Sequence, residues 1–373
     1  MRVAWLTENY FPSKGGMSVS CDRIITGLRK ALIDVHVYHF TSKQESFSQT
    51  QLMSGVYFTL PKSLDASHDI NLAWNFIERK NKQFRYDILV VFGSHRVQMA
   101  GPIFSKWLNL PMVTCIRGND FDANLFHPSK SAYLLRLLND SAAICSVSDF
   151  KAKKIRQLLP ASKVHYTPNG IDVDEWQPLD HDFQALKKLK EQINPGRKRI
   201  IGLFGFLKKK KGMDVLLNAI KKSKLEEDIH LVFSKTNDGM FELVLEEEHG
   251  LSTSVLEPID RFGLIPYYML CDLIIIPSHY EGMPNVLLEA GALKKPVIAA
   301  DRDGMLDVLN EENGSLFEVG NADHLSEVLL SSIRSKSLVL EQKGEALYKS
   351  IIKHHTLEIE TQNYIQIFKS VLK

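Results

Sequence analysis

Two glutamates with seven residues between them, Glu281 and Glu289, stand in the run Pro277-Ser278-His279-Tyr280-Glu281-Gly282-Met283-Pro284-Asn285-Val286-Leu287-Leu288-Glu289-Ala290. An apolar strand ends at Ile276, a loop follows, and Pro284 falls where the first turn of a helix should begin, a favoured place for proline. The first-turn amides of such a helix form an anion site. From Pro284 to Glu289 the helix rises roughly 7–8 Å. One carboxylate can then hydrogen-bond hydroxyls on one side of a bound diphosphate, and the other a ribose on the far side. A helix cap with a surface glutamate is the plain alternative; the whole run placed after an apolar strand is the more specific signal.

A second segment, Gly205-Phe206-Leu207-Lys208-Lys209-Lys210-Lys211-Gly212-Met213-Asp214, joins a strand to a helix at Val215–Lys221. Lysines on a loop feeding a helix N-terminus suit a pyrophosphate, since point charge and backbone amides add. No GK[ST] follows, so this is not a Walker loop, and a solvated basic turn stays open. Gly15-Gly16 after the first strand lets backbone approach a ligand or simply turns the chain. Arg117, in Arg117-Gly118-Asn119-Asp120, follows another apolar strand and suits a substrate phosphate or hydroxyl, or a structural salt bridge. Asp pairs at 120/122, 172/174, 180/182 and 301/303 all have the spacing of a magnesium–diphosphate motif; so many make the spacing uninformative. No HExxH, GxSxG or GxGxxG occurs, which argues against a zinc hydrolase, a serine hydrolase and a nicotinamide oxidoreductase.

These loops need a scaffold that presents strand ends. Short apolar runs at 3–6, 35–38, 88–92, 112–116, 142–146 and 164–166 alternate with helical patterns, including a helix from about Ser20 to Leu32. After a polar stretch at 172–198 with a short helix the series restarts, with strands at 199–205, 230–233, 273–276 and 296–300. The expected fold class is α/β, two tandem Rossmann-type doubly wound domains facing a central cleft. A final helix, about Leu357 to Val371, is apolar at helical spacing and is expected to return to the first domain. The expected boundaries are 1–172 plus 356–373, and 173–355. A chain of 373 residues suits two such cores. With 46 basic against 44 acidic residues, bulk charge does not select nucleic acid. Four scattered cysteines, no leader-like segment and no long apolar run lead to an expectation of a cytoplasmic protein, possible at the inner face of the membrane, where the basic amphipathic stretch 151–159 would make peripheral contact.

In order, these pieces resemble the retaining glycosyltransferase family four, also called glycosyl transferases group 1, with the GT-B fold. The resemblance rests on the glycine pair, Ser146-Val147-Ser148, Pro168-Asn169-Gly170-Ile171-Asp172, the Lys211-Gly212 loop, Tyr268 to Asp272, the Glu281-to-Glu289 motif, Gly314 and the final helix. It implies transfer of a sugar from a nucleotide-diphosphate sugar, a UDP-sugar by the family's habit, to an acceptor hydroxyl with retention. The sugar would be hexosyl or N-acetylhexosaminyl, and the acceptor a small molecule, glycan or glycolipid. Glu281 would hold sugar hydroxyls and Glu289 the ribose. Gly282 and the amides of Met283, Pro284's neighbour Asn285 and Val286 would line the sugar and diphosphate. Gly205, Lys208 and Lys211 would carry the diphosphate, and Gly16 would approach it from the first domain. The catalytic set is Glu281, Arg117 and Lys211, with no metal and no cofactor. Phe206 stands where the family usually has arginine, Lys208 being the replacement charge, and Arg117 stands where it commonly has histidine. A nucleotide-sugar epimerase and a non-catalytic nucleotide-sugar or membrane-surface binding protein are the alternatives.

Overall fold

Apolar, β-branched runs without polar alternation become strands covered on both faces. β1 (Arg2–Thr7) is buried from Val3 onward. It lies near the middle of an eight-stranded sheet together with β2 (Asp34–Thr41), β3 (Ser48–Leu52), β4 (Gly55–Pro61), β5 (Ile88–Phe92), β6 (Met112–Ile116), β7 (Ala143–Ser146) and β8 (Val164–Tyr166). The computed structural model describes residues 1–373 except 12, 14, 53, 94, 194, 195, 197, 206, 207, 236–249 and 258, and leaves the side chains of 119 and 209 undescribed. Phe206 therefore lies outside the described residues.

The first unit comprises Met1–Asn169 and Leu357–Lys373. Its strands lie in the order β3-β4-β2-β1-β5-β6-β7-β8. Neighbours run parallel except β3 and β4, an antiparallel pair at the edge, in a stretch where the sequence pointed to no strand. A helix at Ala66–Phe84 occupies the rest of that stretch. One face of the sheet packs Trp5, Val90 and Cys145 against Ile24, Tyr364 and Phe368. The other packs Leu6, Phe58 and Val91 against Ile77 and Phe104. The helix Leu357–Val371 thus supplies part of the first unit's core, burying Tyr364 and Phe368.

The second unit is Gly170–Thr356. Its sheet contains β9 (Arg199–Leu203), β10 (Ile229–Ser234), β11 (Ser252–Leu256), β12 (Leu273–Ile276), β13 (Val297–Ala300) and β14 (Ser315–Phe317). Their order is β11-β10-β9-β12-β13-β14, all parallel. The polar stretch before β9 holds a helix of 14 residues, Asp180–Ile193, longer than the short one expected. In each unit the chain runs outward one way and then the other from a central strand, β1 or β9. That reversal opens a crevice at the carboxyl ends of the strands, where ligands of such sheets bind.

Candidate active site

β12 ends at Ile276, and residues 277–284 lead from it into the helix Asn285–Ala292. Pro284 sits one place earlier than the sequence suggested: it is the N-cap, with extended backbone, and the helix begins at Asn285. Glu281 is largely buried and its carboxylate is ion-paired with Lys211 through Oε1. Lys210 lies 3.7 Å from Oε2, and the Ser278 hydroxyl donates to Oε1 at 3.2 Å. Burial alone would raise the Glu281 carboxyl. The two lysine charges and the donated hydrogen bonds outweigh it and hold the group below the usual carboxylate range. At neutral pH it is an anion facing two cations.

The lysine loop is docked on this segment by backbone. The His279 amide donates to the Lys210 carbonyl at 2.9 Å. Gly212 has φ +69, and a Cβ there would lie 2.0 Å from the Pro277 carbonyl oxygen, so only glycine allows the approach. Lys211 closes a 3₁₀ turn, Lys209–Lys211, just before the helix Met213–Ser223. Lys208 stands exposed, whereas the Lys211 side chain is 15% exposed, so the lysines of this run are not equivalent. Gly205, with φ +100, brings the end of β9 beside Val286: a Cβ on Gly205 would sit 3.5 Å from Val286 Cγ2. Gly205, Lys211, Glu281 and Val286 therefore converge at the β9–β12 crevice.

Glu289 projects from the second turn of the same helix and is 8% exposed. The Tyr268 hydroxyl donates to its Oε2 at 2.8 Å. Tyr268 lies on the short helix Ile265–Leu270, fully buried, with its ring 4.5 Å from that of Phe204. Burial, the Glu289 charge and this hydrogen bond push the phenol well above its ordinary pKa, which keeps it a donor. Tyr268 is thus the orienting partner of Glu289. The sequence carries no local sign of that pairing, because the residues meet only once α/β packing brings two helices together.

In the first unit, Gly16 opens the helix Gly16–Lys30, preceded by Gly15 at φ +114. Arg117 takes the salt-bridge arrangement that its sequence also suited. Its guanidinium is buried, bonded to the Asn169 carbonyl oxygen of the side chain and to the Tyr364 hydroxyl at 3.2 Å, and lies 3.7 Å from Glu360. Arg23 joins the same cluster, reaching Glu360 at 2.8 Å and Asn169 at 2.7 Å. Asp120 accepts from the Arg117 and Gly118 amides, and Asp122 pairs with buried Lys151 at 2.7 Å. Burial raises Asp120 to about 6 even though those amides oppose it. The basic stretch 151–159 is likewise matched internally: Lys153 pairs with Asp149 at 2.7 Å, and Arg156 donates to the Val164 carbonyl. The sequence also passed over a rim at the β1–β5 crevice. There the Glu8 carboxylate accepts the Arg96 amide at 3.1 Å and pairs with Lys62 at 3.1 Å. Among the described residues, no group of three His, Cys, Asp or Glu side chains is placed to hold a metal ion, and no helix is long and apolar enough to cross a membrane.

Comparison with known proteins gives the chain a family. Residues 14–175 match the family model for Glycosyltransferase Family 4, and residues 185–349 match that for Glycosyl transferases group 1. The putative teichuronic acid biosynthesis glycosyltransferase TuaC of Bacillus subtilis is 26% identical over 62% of this chain, a match spanning 57% of that relative. An uncharacterized glycosyltransferase of Methanocaldococcus jannaschii, MJ1178, is 25% identical over 91% of both chains. Among solved structures, Anabaena HepE in complex with UDP and glucose superposes with a TM-score of 0.77 at 18% identity, covering 99% of this chain and 100% of that one. The two family models, the two doubly wound units and the glutamate–lysine cluster at the β9–β12 crevice together identify the chain as a glycosyltransferase of the family-four, group 1 type on the GT-B fold.

Proposed function

We propose that the chain transfers a hexosyl or N-acetylhexosaminyl group from a UDP-sugar to an acceptor hydroxyl, with retention of anomeric configuration and without a metal ion. The observation that carries this reading is the Lys211–Glu281 ion pair at the start of the helix that also presents Glu289. The donor exchanges that pair for two better-matched ones. Its diphosphate takes Lys211, supported by Lys208 and the amides of Met283, Asn285 and Val286, and its sugar hydroxyls take Glu281. Glu289, oriented by Tyr268, accepts from the ribose. Arg117 acts in the first unit as a positioning residue, through the turn it begins, because its guanidinium is engaged with Asn169, Tyr364 and Glu360.

In the reaction the bond from the anomeric carbon to the diphosphate oxygen breaks as the acceptor oxygen bonds to that carbon on the same face. The acceptor proton passes to the departing diphosphate. Positive charge grows on the sugar and negative charge on the leaving group, so fixed cations and amides act where they differ most between ground and transition states. HepE's complex with UDP and glucose supports the donor class. The name of the TuaC relative, a putative teichuronic acid biosynthesis glycosyltransferase, supports a bacterial glycan acceptor.

The test is a thermal-shift panel of nucleotide sugars, then hydrolysis and transfer assays with the best binder, with and without EDTA. A UDP-sugar should raise the melting temperature most, and turnover should survive chelation. Absence of any shift would overturn the donor reading. Acceptor-free conversion to an epimer would replace transfer by isomerisation.

A further inference from the structure

Beyond β13 the chain makes a 3₁₀ turn, Asp303–Met305, against the Glu281 loop. Asp303 is buried and adopts φ +49, a left-handed conformation that glycine takes without cost and other residues seldom do. Its Oδ2 accepts the backbone N–H of Glu281 at 3.1 Å. The next residue answers in the opposite direction: the Gly304 N–H donates to the Gly282 carbonyl at 2.8 Å. A Cβ on Gly304 would lie 2.4 Å from that oxygen and 2.9 Å from Met283 Cα, so the two backbones touch. The dipeptide Glu281-Gly282 is thus held at both ends, by its first N–H and its last carbonyl, by one short turn.

The neighbouring carboxylate does something else. Asp301 Oδ1 accepts the Val319 amide at 2.9 Å and serves the turn after β14. The 301/303 pair therefore has the spacing of a metal motif but distributes its carboxylates to two different backbone segments. A residue whose only task was to make the left-handed turn would be glycine at no conformational cost. Aspartate at this position accepts strain and gains the Glu281 amide.

We propose that Asp303 is a positioning residue for the sugar-donor site, setting the height and direction of Glu281 by holding its amide. This rests on the reading of Glu281 as the residue that receives the donor's sugar hydroxyls. Backbone placement and side-chain charge are then separate contributions: Lys211 fixes the carboxylate end of Glu281, and Asp303 fixes its root.

Four variants test this: Asp303→Gly, Asp303→Asn, Glu281→Ala and the double variant D303G/E281A. Asp303→Gly removes both the strain and the hydrogen bond. It should melt at the same or a higher temperature than the parent, yet exchange the Glu281 amide proton roughly tenfold faster and lose roughly tenfold in kcat, with a smaller change in KM, for the UDP-sugar hydrolysed fastest in the panel. Asp303→Asn keeps an acceptor and tolerates the left-handed backbone, so it should restore both readouts. If Asp303 acts through Glu281, the double variant should be no worse than Glu281→Ala alone. Unchanged amide exchange in Asp303→Gly, or full turnover with a damaged Glu281→Ala, overturns the inference. A Glu281→Ala protein that binds and turns over the sugar normally instead overturns the donor-site reading on which it rests.

Discussion

Glu281 and Glu289 carry the same side chain on one short segment, but each is set to a different task by what surrounds it. Glu289 accepts from a phenol that stays protonated, which orients its carboxylate for a ribose hydroxyl. Glu289→Ala should weaken UDP binding by about 1.5–3 kcal/mol in calorimetry, the range for a hydrogen bond to a charged group. Tyr268→Phe should weaken it less. Glu281 faces Lys211 and Lys210, and its folded-state pKa lies below its ordinary value. The stability it contributes is therefore full above the ordinary carboxylate range and is lost as pH falls through the lowered value. Glu281→Gln should flatten that acid limb in pH-dependent melting. In the lysine run, Lys211→Ala should cost more UDP affinity than Lys208→Ala; equal losses at 208, 209, 210 and 211 would indicate diffuse attraction rather than a defined contact. The two glutamates and Lys211 were legible in the sequence because a strand end, a loop and a helix start are local patterns. Tyr268, Asp303 and the engagement of Arg117 were not. Each depends on partners 21, 22 and as many as 247 residues away, and no spacing rule encodes such distances.

Strands of the central sheets could be read directly, since β1, β5, β6 and β12 are continuous apolar runs buried on both sides. The edges escaped. β3 is Ser-Gln-Thr-Gln-Leu and mostly exposed, β11 is Ser-Thr-Ser-Val-Leu, and β14 has three residues. An edge strand has one open side and needs fewer apolar residues, so it looks like loop. The basic helix Asp149–Leu158 shows the converse, a segment whose composition suggests a lipid surface while one of its cations, Lys151, is turned inward. Lys151 is fully buried on Asp122, and its neighbours are paired nearby. Lys151→Ala should therefore lower the melting temperature, leaving a carboxylate without its closest partner, and should change flotation with anionic vesicles little. At the junction of two loops, Gly212→Ala should destabilise by about 2 kcal/mol in urea unfolding, from positive φ and the clash with the Pro277 carbonyl together. UDP affinity should fall with it, because the same contact seats Lys211.

The two units differ in how the chain builds them. The second is one continuous stretch, Gly170–Thr356; the first is completed by Leu357–Lys373. The sequence indicated this return through the apolar spacing of the last helix, but not its electrostatic half. Glu360 on that helix is the acid that both Arg23 and Arg117 face, at 2.8 Å and 3.7 Å. All three side chains are almost wholly buried, so Glu360→Ala should cost about 3–5 kcal/mol, the penalty for leaving buried guanidinium charge uncompensated. Thermal melting of that variant, with limited proteolysis to locate the loosened region, checks this. A discontinuous unit also has a history in time. While the ribosome adds residues 170–356, at about 5–20 residues per second, the emerged N-terminal segment waits roughly 10–40 s with two buried-site arginines lacking their acid and part of an apolar sheet face uncovered. The second unit can finish first. Any chain released before residue 357 would have a complete second unit and an unfinished first one, left open to chaperones and proteases.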